Sequence, residues 1–421
     1  MSKVPAGWAS FELSELVEDT KNSFVIGPFG SDLVQSDYRK SGVPVIFVRD
    51  IKRGRFNWIS NVFLTHDKAL QLKAHSIISY DIVITKMGLP AGIAAVYPQD
   101  MPSGIITADI IRMRLNKSLI DSFFLVEVLN GQDVSAQVYE RTSGQTRPKL
   151  TLTDYKKIKV NIPPLPEQTK IAQILSTWDK AIATTEKLIG NSQQQKKALM
   201  QSLLTGKKRL PGFEGEWTIG FLGDLCSFKG GFGFKEVFQG KIVGDIPFIK
   251  VSDMNLKGNE IFITKANNWL TQEDICTIRV KPFPADSVVF AKVGAALLLN
   301  RRRILIRDTI VDNNMMAGIP FEGCDTNYLY QLMLRIDFAR FVQDGAVPSI
   351  NQSDLSRFKI KFPPLPEQQK IAAVLTAADN EIDLLQKKLA FLKQEKAALM
   401  QQLLTGKRRV KINATEECMD A

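Results

Sequence analysis

The sequence predicts an α+β protein in which two pseudo-repeated globular domains, mixed and centred on sheets, are joined by two long antiparallel coiled-coil helices. A charged, helix-like segment that begins PPLPEQ occurs twice, at Pro163 and at Pro363, 200 residues apart. Each copy carries apolar residues at alternating spacings of four and three, which is the period of a coiled coil. Short β-rich runs separated by Gly, Pro and Asn fill the dissimilar sequence outside the copies, which predicts domains that contain sheets.

The composition indicates a folded chain of more than one domain. Its 421 residues exceed what one compact core accommodates, and 44% hydrophobic with 24% charged residues are ordinary globular values. No apolar run is long enough for a membrane span, and the N-terminus lacks the apolar core of a signal peptide. Four widely separated cysteines fit a reducing compartment. We therefore expect a cytoplasmic protein with no membrane partner.

The net charge of +11 suggests a polyanionic partner. Much of this excess lies in the repeated segments, however. Residues 163–210 contain eight Lys or Arg against three Asp or Glu, and residues 363–410 contain eight against five. The globular domains are therefore only weakly basic, and we expect them to bind a polyanion with modest affinity.

The apolar seam of each copy predicts that the two helices pair with each other. The first copy is polar at Thr185 and Ser192, where the second has Leu385 and Leu392. Pairing therefore packs the more hydrophobic seam of the second copy against the less hydrophobic seam of the first. The other predicted seam residues of the first copy are Ile171, Leu175, Ile182, Ile189, Leu199 and Leu203. Those of the second copy are Ile371, Leu375, Ile382, Leu389, Leu399 and Leu403. The alternative is that each helix only packs on its own domain, and a duplicated seam of this length disfavours it.

Proline and glycine residues predict where the helices begin and end. The prolines of the PPLPEQ motif forbid a helix before about Glu167 in the first copy. Gly206 and Gly406 stand where a residue of left-handed conformation ends a helix. Each helix is therefore expected to run for about forty residues, or roughly 60 Å at the rise of an α-helix.

The globular domains also repeat, but weakly. GVPVIFVRDI around Pro44 is matched by DIPFIKVSDM around Pro247, whereas the loops IGPFGSDLVQSDYRK and FKGGFGFKEVFQGK diverge. A shared frame with divergent loops is typical of related binding modules of different specificity. The predicted segments are a first globular domain (1–162), a first helix (163–210), a second globular domain (211–362), a second helix (363–410) and a C-terminal tail (411–421).

Together, these features resemble the specificity subunit of type I restriction–modification systems. The resemblance is carried by PPLPEQ–KIA, by helices that end LLTGK–R, by GPFGS at Gly27–Ser31 and by the K-x-G after DIVIT. It covers nearly the whole chain and implies two target recognition domains, each reading one half of a split, asymmetric sequence in double-stranded DNA. It further implies that the helices space these domains and seat two modification (methyltransferase) subunits.

The same resemblance bears on cofactors and on further partners. It implies S-adenosylmethionine, and ATP with Mg, for the partner subunits and no cofactor for this chain. Whether two restriction (translocase and endonuclease) subunits also join the complex stays open.

No motif in the sequence supplies catalytic chemistry. The Gly-Lys pairs near the helix ends lack the upstream glycine and the Ser or Thr of a P-loop. His66 and His75 are the only histidines, too few for a His-based metal site. We therefore expect a chain that is not an enzyme, with no catalytic and no metal-binding residues. Two alternatives stay open: a self-contained DNA methyltransferase or nuclease with an unrecognised site, and a structural coiled-coil scaffold.

DNA recognition requires phosphate contacts for register and side chains at base edges. Glycine-rich loops, basic residues after predicted strands and the loops that precede the helices supply both, although a solvated surface charge or a turn glycine is the alternative at each position. In the first domain the candidates are Gly27, Phe29, Gly30, Ser31, Arg49, Lys52, Arg53, Arg55, Lys86, Arg147 and Lys149. In the second domain they are Lys229, Phe232, Lys235, Lys250, Ser252, Lys292, Arg301, Arg302, Arg303 and Asn351. The triplet Arg301–Arg303 is the sharpest basic cluster.

Overall fold

The structure is a computed structural model that describes residues 4–142, 149–233, 235–343 and 347–412. Its contacts divide the chain into two compact units. Unit 1 comprises Met1–Thr185 with Lys388–Ala421, and unit 2 is Glu186–Lys387. Each unit therefore combines one globular domain with the first part of one long helix and the last part of the other.

Unit 1 begins with a globular domain that mixes short strands and helices. Its strands are β1 (Ala9–Glu12), β2 (Phe24–Ile26), β3 (Val43–Ile46), β4 (Ile51–Lys52), β5 (Arg55–Phe56), β6 (Phe63–Leu64), β7 (Ser76–Ile77), β8 (Ile82–Thr85), β9 (Ala94–Val96), β10 (Gly104–Ile106), β11 (Ile110–Met113) and β12 (Lys159–Ile162). Its helices are α1 (His66–Gln71), α2 (Ser122–Leu129), α3 (Gln132–Arg141) and α4 (Leu152–Lys156), followed by the long helix α5 (Leu165–Leu203).

Two four-stranded sheets form the centre of this domain. One has the antiparallel order β2-β11-β8-β9, and the other has the order β6-β3-β10-β7 with β3 and β10 parallel. The β-branched run of β8 is buried along its whole length, as expected for a strand at the centre of a sheet. Its residues Ile82 and Ile84 share a core with Phe124 of α2 and with Ile171 and Leu175 of α5.

Unit 2 repeats this plan with different strand lengths. Its strands are β13 (Thr218–Phe221), β14 (Cys226–Gly230), β15 (Ile246–Ile249), β16 (Phe262–Ile263), β17 (Asn268–Leu270), β18 (Val288–Ala291), β19 (Arg303–Leu305), β20 (Ile310–Val311), β21 (Met315–Pro320) and β22 (Lys359–Phe362). Its helices are α6 (Gln272–Ile278), α7 (Ala295–Leu298), α8 (Thr326–Arg335), α9 (Gln352–Ser356) and the long helix α10 (Leu365–Leu403).

The sheets of unit 2 correspond to those of unit 1. The larger has the order β14-β21-β18-β19-β16, and the smaller has the order β17-β15-β20 with β15 and β20 parallel. Val288 and Phe290 of β18 share a core with Tyr328 of α8 and with Ile371 and Leu375 of α10. In both units the larger sheet thus packs through one short helix onto the beginning of a long helix.

Within each unit, α5 and α10 run antiparallel. In unit 1 Lys396 binds Asp179 and Arg409 binds Glu167. The later residue of the second copy thus contacts the earlier residue of the first copy, which is the antiparallel direction. In unit 2 the equivalent pairs are Lys196 with Asp379 and Arg209 with Glu367. The predicted antiparallel pairing is therefore confirmed, and each copy of the repeat contributes the basic partner in one unit and the acidic partner in the other.

Every residue of the predicted seam is buried or half-buried, as pairing of the two helices requires. Leu399 and Leu403 pack in the core that contains Ile171, whereas Leu199 and Leu203 pack in the core that contains Ile371. Outside the seam, Leu384 is 65% exposed although its neighbour Leu385 is half-buried. The spacing of four and three, rather than hydrophobicity alone, thus identifies the residues that face a partner.

The predicted helix start is two residues too late. Both long helices begin at a leucine, with Pro166 or Pro366 as the second helical residue. A proline is compatible with the first turn because the backbone N–H groups there have no partner inside the helix. Gly206 and Gly406 follow the helix ends with φ angles of 70° and 68°, as predicted.

The PPLPEQ motif joins each long helix to its globular domain. Glu167 and Gln168 are each only 1% exposed. Gln168 donates to the carbonyl groups of Pro163 and Leu119, and its Oε1 accepts from Asp121 N–H just before α2. Gln368 bonds to Pro363, Gly323 and Asp325 in the same way. The repeated glutamine therefore fixes the helix against the domain in both units.

Candidate nucleic-acid interface

In unit 1 a short turn between β10 and β11, residues 107–109 (turn 1), lies at the ends of three other strands. Its Thr107 N–H donates to the Ile46 carbonyl, and its Asp109 carbonyl accepts from Lys86 N–H at 2.8 Å. Gly27 passes so close that a Cβ on it would lie 2.2 Å from the carbonyl carbon of Thr107. Only glycine permits this approach, so Gly27 of the predicted GPFGS loop is a buried residue that fixes the loop beside turn 1.

Unit 2 repeats this junction at residues 312–314 (turn 2), between β20 and β21. Asp312 N–H donates to the Ile249 carbonyl, and the Asn314 carbonyl accepts from Lys292 N–H at 2.9 Å. A Cβ on Gly231 would lie 2.1 Å from the Asp312 carbonyl oxygen. The hydrogen-bond register therefore makes Asp109 and Asn314 equivalent positions, although their side chains differ.

Several predicted residues of the first domain gather beside turn 1. The Lys86 ammonium lies 4.9 Å from the centre of the Phe29 ring, which is 56% exposed. Gly30 and Ser31 follow in the same exposed loop. Lys149 is exposed and lies beside the Lys86 segment, because Met87 forms a β-bridge with Lys149. An exposed ring and two amines on one surface can contact bases and phosphates. Arg147 lies outside the described residues.

The remaining basic residues of unit 1 that were predicted to bind DNA differ in their exposure and in their contacts. Arg49 is exposed, stacks 4.5 Å from the centre of the Phe47 ring and donates to Ser60 Oγ. Lys52 is exposed in the β4–β5 hairpin. Arg53 instead donates to the carbonyl of Asn130 at the end of α2. Arg55 lies with Arg53 on the wall of a cavity of about 880 Å³ that is closed by parts of α5 and α10.

That cavity contains a half-buried charge cluster that the sequence does not reveal. The Lys396 ammonium lies 3.2 Å from Glu127 and 2.7 Å from Asp179. Burial raises the pKa of the Glu127 carboxyl, and the nearby Asp179 adds to this effect while Lys396 opposes it. In unit 2 the corresponding position is Gln331, whose amide donates to Asp379 at 2.7 Å. The two units thus differ by one half-buried carboxylate, Glu127, at equivalent places.

The predicted lysines of unit 2 lie around turn 2. Lys292 Nζ lies 2.9 Å from the position that a Cβ on Gly230 would occupy, next to the exposed Lys229. A concavity of about 670 Å³ is lined by turn 2 together with Lys235, Gln239, Lys250 and Ser252. Lys250 Nζ donates to Gln239 Oε1 at 2.6 Å. Three of the predicted residues, Lys235, Lys250 and Ser252, therefore line one surface concavity, and a backbone hydrogen bond joins Lys292 to turn 2.

Two predicted residues of unit 2 have structural roles. The Phe232 ring packs against two apolar clusters and lies 5.9 Å from the ring of Phe283. Asn351 caps α9, because its Oδ1 accepts from the N–H groups of Ser353 and Asp354. The cap commits the side-chain oxygen of Asn351 to the helix.

The arginine triplet does not form one basic cluster. Arg302 is fully buried, donates to the Ile336 carbonyl and stacks 3.7 Å from the centre of the Phe338 ring. Burial lowers the pKa of its guanidinium to about 9. The prediction that Arg302 binds DNA is therefore wrong, because the side chain has no route to a ligand at the surface. Arg303 donates to the Met254 carbonyl and is half-buried, whereas the exposed Arg301 donates to Asn255.

In the part of the chain that the structure describes, no three His, Cys, Asp or Glu side chains converge as metal ligands do. Among the same residues, no helix combines the length and the apolar character that a membrane crossing requires.

The duplicated architecture matches a known family. A family model described as the type I restriction modification DNA specificity domain matches residues 5–191 and again residues 214–394. The chain therefore belongs to this family and contains its domain twice. Each match includes one globular domain and most of the long helix that follows it.

Individual relatives are similar over nearly the whole chain. The putative type I restriction enzyme MjaX specificity subunit of Methanocaldococcus jannaschii is 24% identical over 433 residues, covering 98% of this chain and 96% of that protein. The MjaVIII specificity subunit of the same organism is 24% identical over 404 residues, covering 89% and 91%.

Solved structures share the fold. The S subunit of the type I restriction-modification system of M. genitalium matches with a TM-score of 0.59 at 14% identity, covering 96% of this chain and 97% of that one. A chain from a structural study of complex assembly and conformational transition of the type I R-M system matches with a TM-score of 0.58 at 18% identity, covering 97% and 100%.

Proposed function

We propose that this chain is the DNA-recognition subunit of a type I restriction–modification complex and has no active site of its own. Each globular domain reads one half of a bipartite, asymmetric target in double-stranded DNA. The observation that carries the proposal is the repeated junction around turn 1 and turn 2. The same backbone arrangement presents different side chains in the two units, as two readers of different half-sites require.

The long helices are proposed to set the spacer between the half-sites and to dock two modification subunits. Their pairing within each unit, through Lys396 with Asp179 in unit 1 and Lys196 with Asp379 in unit 2, supports this role. Exposed apolar side chains outside the seam, among them Leu384 and Phe391, support a further partner on the helices. S-adenosylmethionine, and ATP with Mg, are proposed to bind the partner subunits, and the cytoplasm is the proposed location.

A binding selection tests this function. The tagged full chain is isolated from its own cells with the subunits that it carries and is then mixed with duplexes randomised over about 30 base pairs. Sequencing of the bound duplexes is expected to return two defined half-sites separated by a spacer of fixed length and free sequence. A single continuous motif, or no enriched motif at low salt, would contradict the proposal.

The enzyme alternative has its own test. The chain purified alone is incubated with the selected duplex, S-adenosylmethionine and Mg²⁺. We expect neither methyl transfer nor strand cleavage until modification subunits are added. Turnover by the chain alone would support a self-contained methyltransferase or nuclease instead.

A further inference from the structure

We propose that Asp109 and Asn314 determine specificity, each by hydrogen bonding to one base edge in the half-site that its own domain reads. This inference rests on the proposed function and adds the positions at which base identity is read. Neither residue stands out in the sequence, because each lies in a short polar turn between two apolar strands.

The backbone at both positions is fixed. In turn 2, Asn314 N–H donates to Asp312 Oδ1 at 2.8 Å while the Asn314 carbonyl accepts from Lys292 N–H. Met315 N–H then donates to the Asp312 carbonyl and closes the turn. Turn 1 has the same closing bond, from Ile110 N–H to the Thr107 carbonyl, and the same contact from Lys86 N–H. The backbone that carries the reading side chain is therefore in position before DNA arrives.

The side chains, by contrast, are available. Asn314 is exposed and Asp109 is half-buried. Among the residues that the structure describes, neither the Asn314 amide nor the Asp109 carboxylate has a hydrogen-bond partner. In turn 1 the hydroxyl of Thr107 is committed inward, since it donates to the Ile46 carbonyl. In turn 2 the exposed Asn313 lines the same concavity, but its counterpart in turn 1 is Ala108. The last residue is therefore the position at which both turns offer a polar side chain to a ligand.

The surroundings fit a base-reading role. In unit 2, Lys235 and Lys250 line the same concavity as Asn314 and can contact the phosphates on either side of a base. Gln239 also lines it, but its Oε1 accepts from Lys250. In unit 1, Lys86 and the exposed Phe29 ring stand beside turn 1. Each turn thus combines a polar side chain on a fixed backbone with neighbouring cations.

The two side chains differ in what they can read. An asparagine amide donates and accepts at once and pairs with N6 and N7 of adenine, whereas a carboxylate only accepts and suits the N4 amino group of cytosine. Asp109 and Asn314 are nearly equal in size. The equivalent positions therefore favour different bases in the two half-sites, which makes the target asymmetric.

Reciprocal substitutions test the inference. The selection from randomised duplexes is repeated with Asn314→Asp and with Asp109→Asn, using the chain with the subunits that it carries. We expect each variant to change the base preference at one position of one half-site by about 5- to 150-fold, the range for one good base contact. The other half-site should stay as in the wild type. Asn191→Asp, the same chemical change at an exposed position of α5, serves as the control and should change neither half-site.

The outcomes separate this inference from the proposed function. If the wild type selects a bipartite motif and both variants select the same motif with the same strength, the inference is wrong and the proposed function stands. A uniform change in affinity across all sequences also overturns the inference, because it assigns the residues to phosphate contacts. If the wild type selects no bipartite motif, the proposed function itself fails.

Discussion

The Arg409 guanidinium binds the Glu167 carboxylate through two nitrogen–oxygen contacts of 2.7 and 2.6 Å. Arg209 binds Glu367 in the same two-pronged way, at 2.6 and 2.7 Å. The glutamate belongs to PPLPEQ and the arginine follows LLTGK, so each end of the repeat binds the opposite end of the other copy. This pairing gives a physical reason why the segment occurs twice.

Arg409→Ala should destabilise unit 1. Glu167 is 1% exposed, and a buried carboxylate that loses its ionic hydrogen-bond partner raises the free energy of the folded state by about 2–3 kcal/mol. The prediction is a lower midpoint of thermal unfolding. Arg408→Ala, at the exposed neighbouring position, is the matched control. Equal midpoints of thermal unfolding for the two variants would mean that the Arg409–Glu167 pair does not contribute to the stability of unit 1.

Glu127→Gln should change how stability depends on pH. Because burial raises the pKa of Glu127 above its usual value of 4.5 in the folded chain, the folded state binds this proton more tightly than the unfolded state does. Protonated Glu127 therefore stabilises the folded state at pH values below its pKa in the unfolded chain. This stabilisation is lost as pH rises through the higher pKa that Glu127 has in the folded chain. The variant should therefore gain stability relative to the wild type as pH rises from about 4 to 8, measured as the difference between unfolding midpoints.

The second unit supplies the control for this prediction. Gln331 already occupies the equivalent position and donates to Asp379, so a glutamine is compatible with the site. Gln331→Glu should have the opposite effect and lose stability relative to the wild type over the same pH range. If the difference in unfolding midpoint between Glu127→Gln and the wild type stays constant with pH, the raised pKa of Glu127 in the folded chain is contradicted.

The long helices could be predicted from the sequence because their determinants are local. The seam is a periodic pattern, and Gly206 and Gly406 act on the adjacent backbone. The prolines of PPLPEQ indicate helix starts that are too late, because proline disfavours the interior of a helix but is compatible with its first turn. The pairing of Arg409 with Glu167 spans more than 200 residues and could only be suspected from the duplication.

The binding surfaces were only partly predictable, because exposure depends on distant contacts. Arg302 looked like part of a basic triplet, but Phe338 and the Ile336 carbonyl hold it in the core. Arg53 looked like a surface cation, but it is directed towards the end of α2. The sequence does not single out Asn314, because only the hydrogen-bond register shows that it is equivalent to Asp109. Charge in the sequence does not reveal which side of a strand or turn a residue occupies.

Lys86→Ala should weaken DNA binding without changing the preferred sequence. The Lys86 amine stands over Phe29 at the exposed face of turn 1, where a phosphate contact is expected. Loss of one phosphate contact should reduce the affinity for all duplexes alike and should reduce the slope of log affinity against log salt concentration by about 1. Titrations of one specific and one unrelated duplex at several salt concentrations measure both effects.

A matched change outside the predicted surface controls for net charge. Lys187→Ala removes an exposed charge from α5 instead and should leave the salt slope unchanged. If the two lysine variants have the same salt slope, the proposed contact at Lys86 is wrong.

We propose that the globular domains read the DNA and that the repeated helices set the distance between the two half-sites. Seven residues inserted into both α5 and α10 at equivalent seam positions keep the spacing of four and three and lengthen each helix by about 10 Å. Selection from randomised duplexes should then return both half-sites unchanged, with a longer spacer between them. A spacer of unchanged length, with both half-sites still selected, would contradict the claim.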